Sequence, residues 1–296
     1  MRPAASAAPD SASRSATSIP TPRPRRRRLI AGVLLALAII TLGYGGFVWN
    51  TRYRGTGWTH TFDLGLWYRK SRGEDLYHTR EALLVHGNRS LPEVALTFDD
   101  GPHPMSRPKI LDTLKRFNVH ATFFDVGANM ERHPSLVIRS VDEGHEIANH
   151  TEHHEYLTGL SPAERRREIN DADIELYSIA SRHLKLLRPP GMRYDPAVLA
   201  DARGLGYVTV AYTTAAKDAD AADPAPADVI AERTLGRVEN GSILLLHDYP
   251  STAEALPAIL ETLKKRGYRC VTISEMLAHL PGPARTDAHA QLESAP

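Results

Sequence analysis

The 296-residue chain has a single cysteine, Cys270, so it can form no internal disulfide and holds no Cys-rich zinc module. A lone thiol is compatible with an oxidising or a reducing compartment. The chain also lacks a basic surplus: 36 Lys and Arg stand against 35 Asp and Glu, and the first 28 residues carry seven of those Arg against one Asp. The remainder of the chain is net negative, 29 basic against 34 acidic residues, which leaves no basic stripe for a nucleic acid. Long apolar runs are missing apart from one, which excludes a multi-span membrane protein. The 42% hydrophobic and 24% charged fractions exclude a wholly disordered or collagen-like chain. The length suits one large domain with accessories.

Residues 1–28 are Ala, Ser, Pro and Arg with almost no large apolar side chains, and they are expected to be a disordered basic tail. The one long apolar run, Leu29 to Trp49, is uncharged and at about 1.5 Å per residue spans a bilayer core. Arg25, Arg26, Arg27 and Arg28 precede it, so the positive-inside rule keeps the N-terminus cytoplasmic and places the rest outside the cell membrane, although Arg52 and Arg54 weaken the asymmetry. A cleaved signal peptide fits less well, because its apolar core is shorter, about 7–15 residues, and ends in a small-x-small site. Residues 50–90 read as a juxtamembrane connector and first strands, with short strands on either side of Gly87-Asn88.

From residue 91 to about 280, helical and strand-like segments alternate in roughly seven repeats. This implies an α/β fold with parallel strands covered by helices, a closed or nearly closed barrel, and a site at the C-terminal strand ends. Ser161-Pro162 with Glu164 marks the start of the longest helix. Residues 281–296 read as a polar tail.

Three clusters carry chemistry. Asp99 and Asp100 end the strand Thr97-Phe98-Asp99-Asp100-Gly101-Pro102; alone, such a pair reads as a turn and a helix cap. The second cluster changes that reading. In His150-Thr151-Glu152-His153-His154, a helical backbone would project His150 and His154 from one face toward one metal ion, with His153 a rival ligand at spacing three. Two imidazoles and a carboxylate suit zinc or another first-row divalent metal such as cobalt or nickel, or non-haem iron, and leave positions open. A second, unligated carboxylate can then take a proton from water acidified by the ion, which makes hydrolysis the natural chemistry. In the third cluster, the apolar strand from Ser242 to Leu246 ends in His247-Asp248. His247 there is either a histidine at the edge of the core or a proton donor to a leaving amine.

TFDDGP, GHEIANHTEHH, LRPPG and SILLLHD occur in this order, and together they resemble the motifs of the polysaccharide deacetylases with a NodB-homology domain, carbohydrate esterase family 4. The resemblance covers Pro92 to Leu280, about two thirds of the chain. It implies a distorted (β/α) barrel of about seven strands that removes acetyl groups from N-acetylated sugars with a divalent metal. By motif position it implies Asp99 as general base, Asp100, His150 and His154 as metal ligands with Thr151 supporting them, and Arg188 holding the base. It further implies Leu245 as a wall of the acetyl-methyl pocket and His247 as general acid, tuned by Asp218, with Pro189 and Tyr212 beside the substrate. Two departures bear on substrate. Gly191 follows Pro190 directly, where the family usually has another residue between them, and the stretch from Tyr212 to Ala219 keeps Asp218 but lacks the family's Trp.

The resulting expectation is a membrane-anchored, extracytoplasmic, metal-dependent deacetylase acting on peptidoglycan or another N-acetylated glycan, with no nucleic-acid partner. A non-catalytic glycan-binding envelope protein and a C–N hydrolase of small amides are the competing readings. Cys270, in an apolar strand, reads as a core residue rather than a nucleophile.

Overall fold

The interior strand β3, Glu93–Gly101, alternates two environments. Val94, Leu96 and Phe98 join the core beneath the helices, whereas Ala95 joins a second core on the other face. Because strand side chains alternate, Thr97 and Asp99 share that second face. The computed structural model describes residues 76–219 and 225–293, and β3 is an interior strand of their ten-stranded sheet, between β4 and β9. The strands are β1 (Tyr77–His78), β2 (Leu83–Leu84), β3, β4 (Thr122–Asp125), β5 (Glu146–Asn149), β6 (Leu186–Leu187), β7 (Val208–Val210), β8 (Thr214–Ala215), β9 (Ser242–His247) and β10 (Arg269–Val271). Their order is β1-β2-β7-β6-β5-β4-β3-β9-β8, with β10 pairing the first half of β3. Every pairing is parallel except β1 with β2.

The helices are α1 (Arg107–Phe117), α2 (Gly127–Arg132), α3 (Pro134–Asp142), α4 (Pro162–Ala180), α5 (Pro196–Gly204), α6 (Ala227–Leu235), α7 (Pro250–Lys265), α8 (Ile273–Ala278) and α9 (Gly282–Glu293). In α7, Leu256, Ile259, Leu260 and Leu263 recur at helical spacing and are buried in the outer core. Ser161 and Glu164 form the reciprocal cap that starts α4. On the concave face, Ala95, Phe124, Ala148, Leu186, Val208 and Ile243 pack with Met276 and Leu277 of α8, which fill the lower part of the curl.

The distorted α/β barrel expected to be closed or nearly closed, with about seven strands, is a curled half-barrel whose sheet has ten strands. Among the described residues the two edge strands, β1 and β8, do not pair with each other, and each is two residues long, too short for a closing ladder. The strands on either side of Gly87-Asn88 do not pair with each other either: β2 lies beside β7, while β3 lies between β4 and β9. The polar segment after Pro281 is not a tail but α9, whose Ala288 is buried against the concave core. Among the described residues no helix is long and apolar enough to cross a membrane. The expected disordered tail 1–28, the anchor 29–49 and the connector up to residue 75 lie outside the described residues.

Candidate active site

Adjacent residues of a regular strand face opposite ways, so Asp99 and Asp100 would not meet at one site. A β-bulge resolves this. The register of β3 against β4 shifts between Asp99 and Gly101, and Asp100 is the extra residue, left-handed at φ 67°. Gly101 accommodates what lies beneath: a Cβ there would sit 2.2 Å from Arg107 Nη2 and 2.5 Å from Asp248 Oδ2. Arg107, Asp125 and Asp248, all fully buried, form an ion-pair triad at this spot. Arg107 Nε donates to Asp248 Oδ2 (2.7 Å) and its Nη2 to Asp125 Oδ1 (2.5 Å), tying the ends of β3, β4 and β9 together.

The segment from His150 to Tyr156 is a loop after β5, so the helical geometry that would set His150 and His154 on one face does not occur, and Thr151 and His154 are left-handed (φ 67° and 60°). The loop nevertheless brings His150 and His154 together with ring centroids 5.0 Å apart. His154 Nε2 lies 3.2 Å and His150 Nε2 3.4 Å from Asp100 Oδ1, and the three donor atoms lie within 4.8 Å of one another. His150 Nδ1 donates to the Arg188 carbonyl (2.7 Å), which orients the ring with Nε2 toward Asp100. Burial alone would raise the Asp100 carboxyl, but hydrogen bonds from His150 and His154 outweigh it and hold Asp100 well below the usual carboxylate range. This one-carboxylate, two-imidazole set fits a divalent metal. His153 is not part of it. That imidazole turns away to Glu168 Oε1 (2.8 Å) and is exposed.

Asp99 sits beside this set. Arg188 Nη1 donates to Asp99 Oδ1 (2.6 Å) and to Thr97 Oγ1 (2.8 Å), and its other nitrogens reach the Val210 and Ala211 carbonyls (3.3 Å each). The guanidinium also lies 4.1 Å from the centroid of Phe124. Asp99 Oδ2, 3.9 Å from His150 Nε2, is left unclaimed by Arg188. Across from it, His247 Nδ1 is 2.8 Å from Asp218 Oδ1, while Asp218 Oδ2 accepts from the His247 backbone N–H (2.8 Å) and Thr252 Oγ1 (2.6 Å). Leu245 lies two residues before His247 on the same strand face, Pro189 follows Arg188 and is buried, and Tyr212 is exposed after β7.

Residues 86–210 match the family model for polysaccharide deacetylase. Over 190 residues the chain is 38% identical to a peptidoglycan-N-acetylglucosamine deacetylase of Bacillus cereus, covering 63% of this chain and 88% of that protein. The chain belongs to the polysaccharide deacetylase family. It is also 34% identical over 193 residues to a peptidoglycan-N-acetylmuramic acid deacetylase of Bacillus subtilis, covering 64% of this chain and 73% of that one. The crystal structure of a peptidoglycan N-acetylglucosamine deacetylase superposes with a TM-score of 0.63 at 36% identity, covering 66% of this chain and 92% of that chain.

In this polysaccharide deacetylase the motif residues are supported by partners that motif reading did not single out. Thr151 is not a hydrogen-bonding support: its hydroxyl is buried without a partner. Asn149 takes that part. Its Oδ1 accepts from the Thr151 N–H (2.7 Å), and its Nδ2 donates to the Ile169 carbonyl (2.8 Å). Tyr249 was missed as well; its hydroxyl donates to Asp100 Oδ2 (3.2 Å) and its ring stacks on His247. An aromatic directly after His247-Asp248 was the one available signal. Cys270 is a partly buried neighbour of the outer core, its thiol pushed up to about 12 by burial.

Burial opposes the charge of His247, but the bond to Asp218 and the charges of Asp99, Asp218 and Asp100 win, so its pKa lies above the ordinary imidazole value. A proton donor of this kind loses activity as pH rises through that pKa. Asp218→Asn removes the anion, lowers the His247 pKa and should move the alkaline limb of the kcat/KM profile to lower pH by about one unit. Above the shifted limb the variant should fall about tenfold below wild type. An unmoved limb would show that His247 is not the titrating acid.

Proposed function

We propose that the chain hydrolyses the N-acetyl groups of amino sugars in peptidoglycan, at the outer face of the cell membrane. One observation supports this above the others: a three-donor metal set, a carboxylate held by Arg188 and an Asp-supported imidazole converge at the C-terminal end of one half-barrel. The peptidoglycan deacetylases among its relatives favour that polymer. The Arg block ahead of the apolar run 29–49 favours the external placement.

The residues that would hold the ion are Asp100, His150 and His154. A divalent ion there, zinc or another first-row metal, supplies Lewis-acid polarisation of an acyl oxygen and a lowered pKa for water. Arg188 fixes Asp99 so that its free oxygen can take a proton from the attacking water. Asp218 fixes His247 through Nδ1 and leaves Nε2 to protonate the departing amine as the C–N bond breaks. Leu245 gives the acetyl methyl an apolar wall, with Pro189 and Tyr212 bordering the sugar. The non-catalytic reading would need a base, an acid or a ligand to be missing, and none is.

The test is acetate release from peptidoglycan by the full chain in detergent, zinc-loaded and chelator-stripped, and by sealed spheroplasts before and after external protease. Release only by the zinc-loaded protein, lost from spheroplasts on proteolysis, is the expected result. A folded, zinc-loaded protein that releases no acetate would overturn the assignment.

A further inference from the structure

Asp99 and Asp100 are adjacent and chemically alike, yet the structure treats their oxygens differently. On Asp99, Arg188 takes Oδ1 and leaves Oδ2 unclaimed. On Asp100, Oδ1 faces both imidazoles and Oδ2 accepts from the Tyr249 hydroxyl (3.2 Å). Among the described residues that phenol is the one hydrogen-bond donor on Asp100 Oδ2. Imidazole nitrogens that hold a metal carry no proton, so they cannot also donate to Asp100. With an ion in place, Tyr249 is then the side chain left to orient that carboxylate.

The Asp100 peptide is held separately, by Asn129 Nδ2 donating to its carbonyl (3.0 Å) at the left-handed bulge. What remains free is rotation of the carboxylate on its Cβ, a broad two-fold torsion that exchanges Oδ1 and Oδ2. Tyr249 is placed to stop it. Its N–H donates to the His247 carbonyl (2.9 Å), and its own carbonyl accepts from Ala253 N–H (3.0 Å) at the start of α7. Its half-buried ring stacks on His247, with centroids 5.9 Å apart and planes 17° from parallel. Backbone and ring are both fixed, so the hydroxyl is delivered to one place.

We propose that Tyr249 is a positioning residue whose hydroxyl commits Asp100 to the metal through Oδ1 alone. The tied Oδ2 can neither close on the ion nor compete with Asp99 for a proton from water. Two identical neighbours on one bulge thereby keep separate roles: the carboxylate with an open oxygen is the base, and the one with a tied oxygen is the ligand. This rests on the metal set described above and deepens it. It also gives a purpose to the aromatic that directly follows His247-Asp248.

The experiment compares wild type, Tyr249→Phe and Tyr249→Ala of the full chain in detergent. Zinc affinity is measured by competition with a chromophoric chelator, the visible spectrum is recorded on cobalt-loaded protein, and urea unfolding of the metal-free proteins checks the fold. Phenylalanine keeps the ring, its stack and the helix start and deletes only the hydroxyl. Zinc should bind Tyr249→Phe about tenfold more weakly than wild type, as for loss of a partner that orients a ligand, with the metal-free unfolding midpoint unmoved. The cobalt spectrum should change in the same variant, because a freed Oδ2 alters the ligand set. Tyr249→Ala should lose as much affinity as Tyr249→Phe. Unchanged or tighter zinc binding in Tyr249→Phe overturns the proposal, and so does weaker binding with an unaltered cobalt spectrum. A loss confined to Tyr249→Ala makes packing of the ring the cause and overturns it as well. Wild type that binds no zinc overturns the metal set itself.

Discussion

Asp99→Asn should lower kcat for acetate release by about 10²–10⁴-fold, the range for loss of a positioned general base, while zinc affinity stays close to wild type. The two effects separate because the carboxylates of the bulge do different things. Asp100 Oδ1 faces both imidazoles, whereas Asp99 faces the Arg188 guanidinium, and its nearest imidazole nitrogen is 3.9 Å away. Asparagine keeps the shape and an oxygen for Arg188 but cannot accept the proton. Zinc titration beside single-turnover kinetics checks this. A variant with rate loss under tenfold would remove Asp99 from the role of base, and one that loses zinc would make it a ligand.

Arg107→Met should destabilise the fold by about 3–5 kcal/mol, measured by urea unfolding, although Arg107 touches none of the reacting groups. Its side chain is completely buried with Asp125 and Asp248, and its guanidinium lies 3.8 Å from the centroid of Phe123. Removing the cation leaves two buried carboxylates without a counter-charge. The ion-pair account therefore also expects Arg107→Met with Asp125→Asn and Asp248→Asn to recover part of the loss, since amides need no cation. No recovery in the triple variant would mean that the cost is one of packing. Activity should fall along with stability, because Asp248 N–H bonds the Asp99 carbonyl (3.0 Å) and the triad supports the end of β3.

The alternation of strands and helices, the apolar stripe of α7 and the capping box of α4 were legible because each is local: period, cap and turn chemistry act within a few residues. The two-residue strands β6 and β8, and helices α5, α8 and α9, were not. Two residues carry no period, and α9 spreads its few apolar side chains too thinly to announce a buried face. The partners that orient the site are long-range. Thr97 meets Arg188 across 91 residues and Tyr249 meets Asp100 across 149, and nothing near either position announces the other.

Residue identity and order alone settle which groups this protein has to work with: two adjacent carboxylates at a strand end, two imidazoles four apart, an arginine before paired prolines, and a histidine closing an apolar strand. They hold for any backbone that carries them. Direction was decided by the tertiary structure. The bulge at Asp100 turns two neighbouring carboxylates to one site, a left-handed loop rather than a helix brings His150 to His154, and Glu168 draws His153 away. Where a side chain points depends on backbone dihedrals that distant contacts impose. Here the buried Arg107 triad and the pairing of β3 with β4 and β9 supply them.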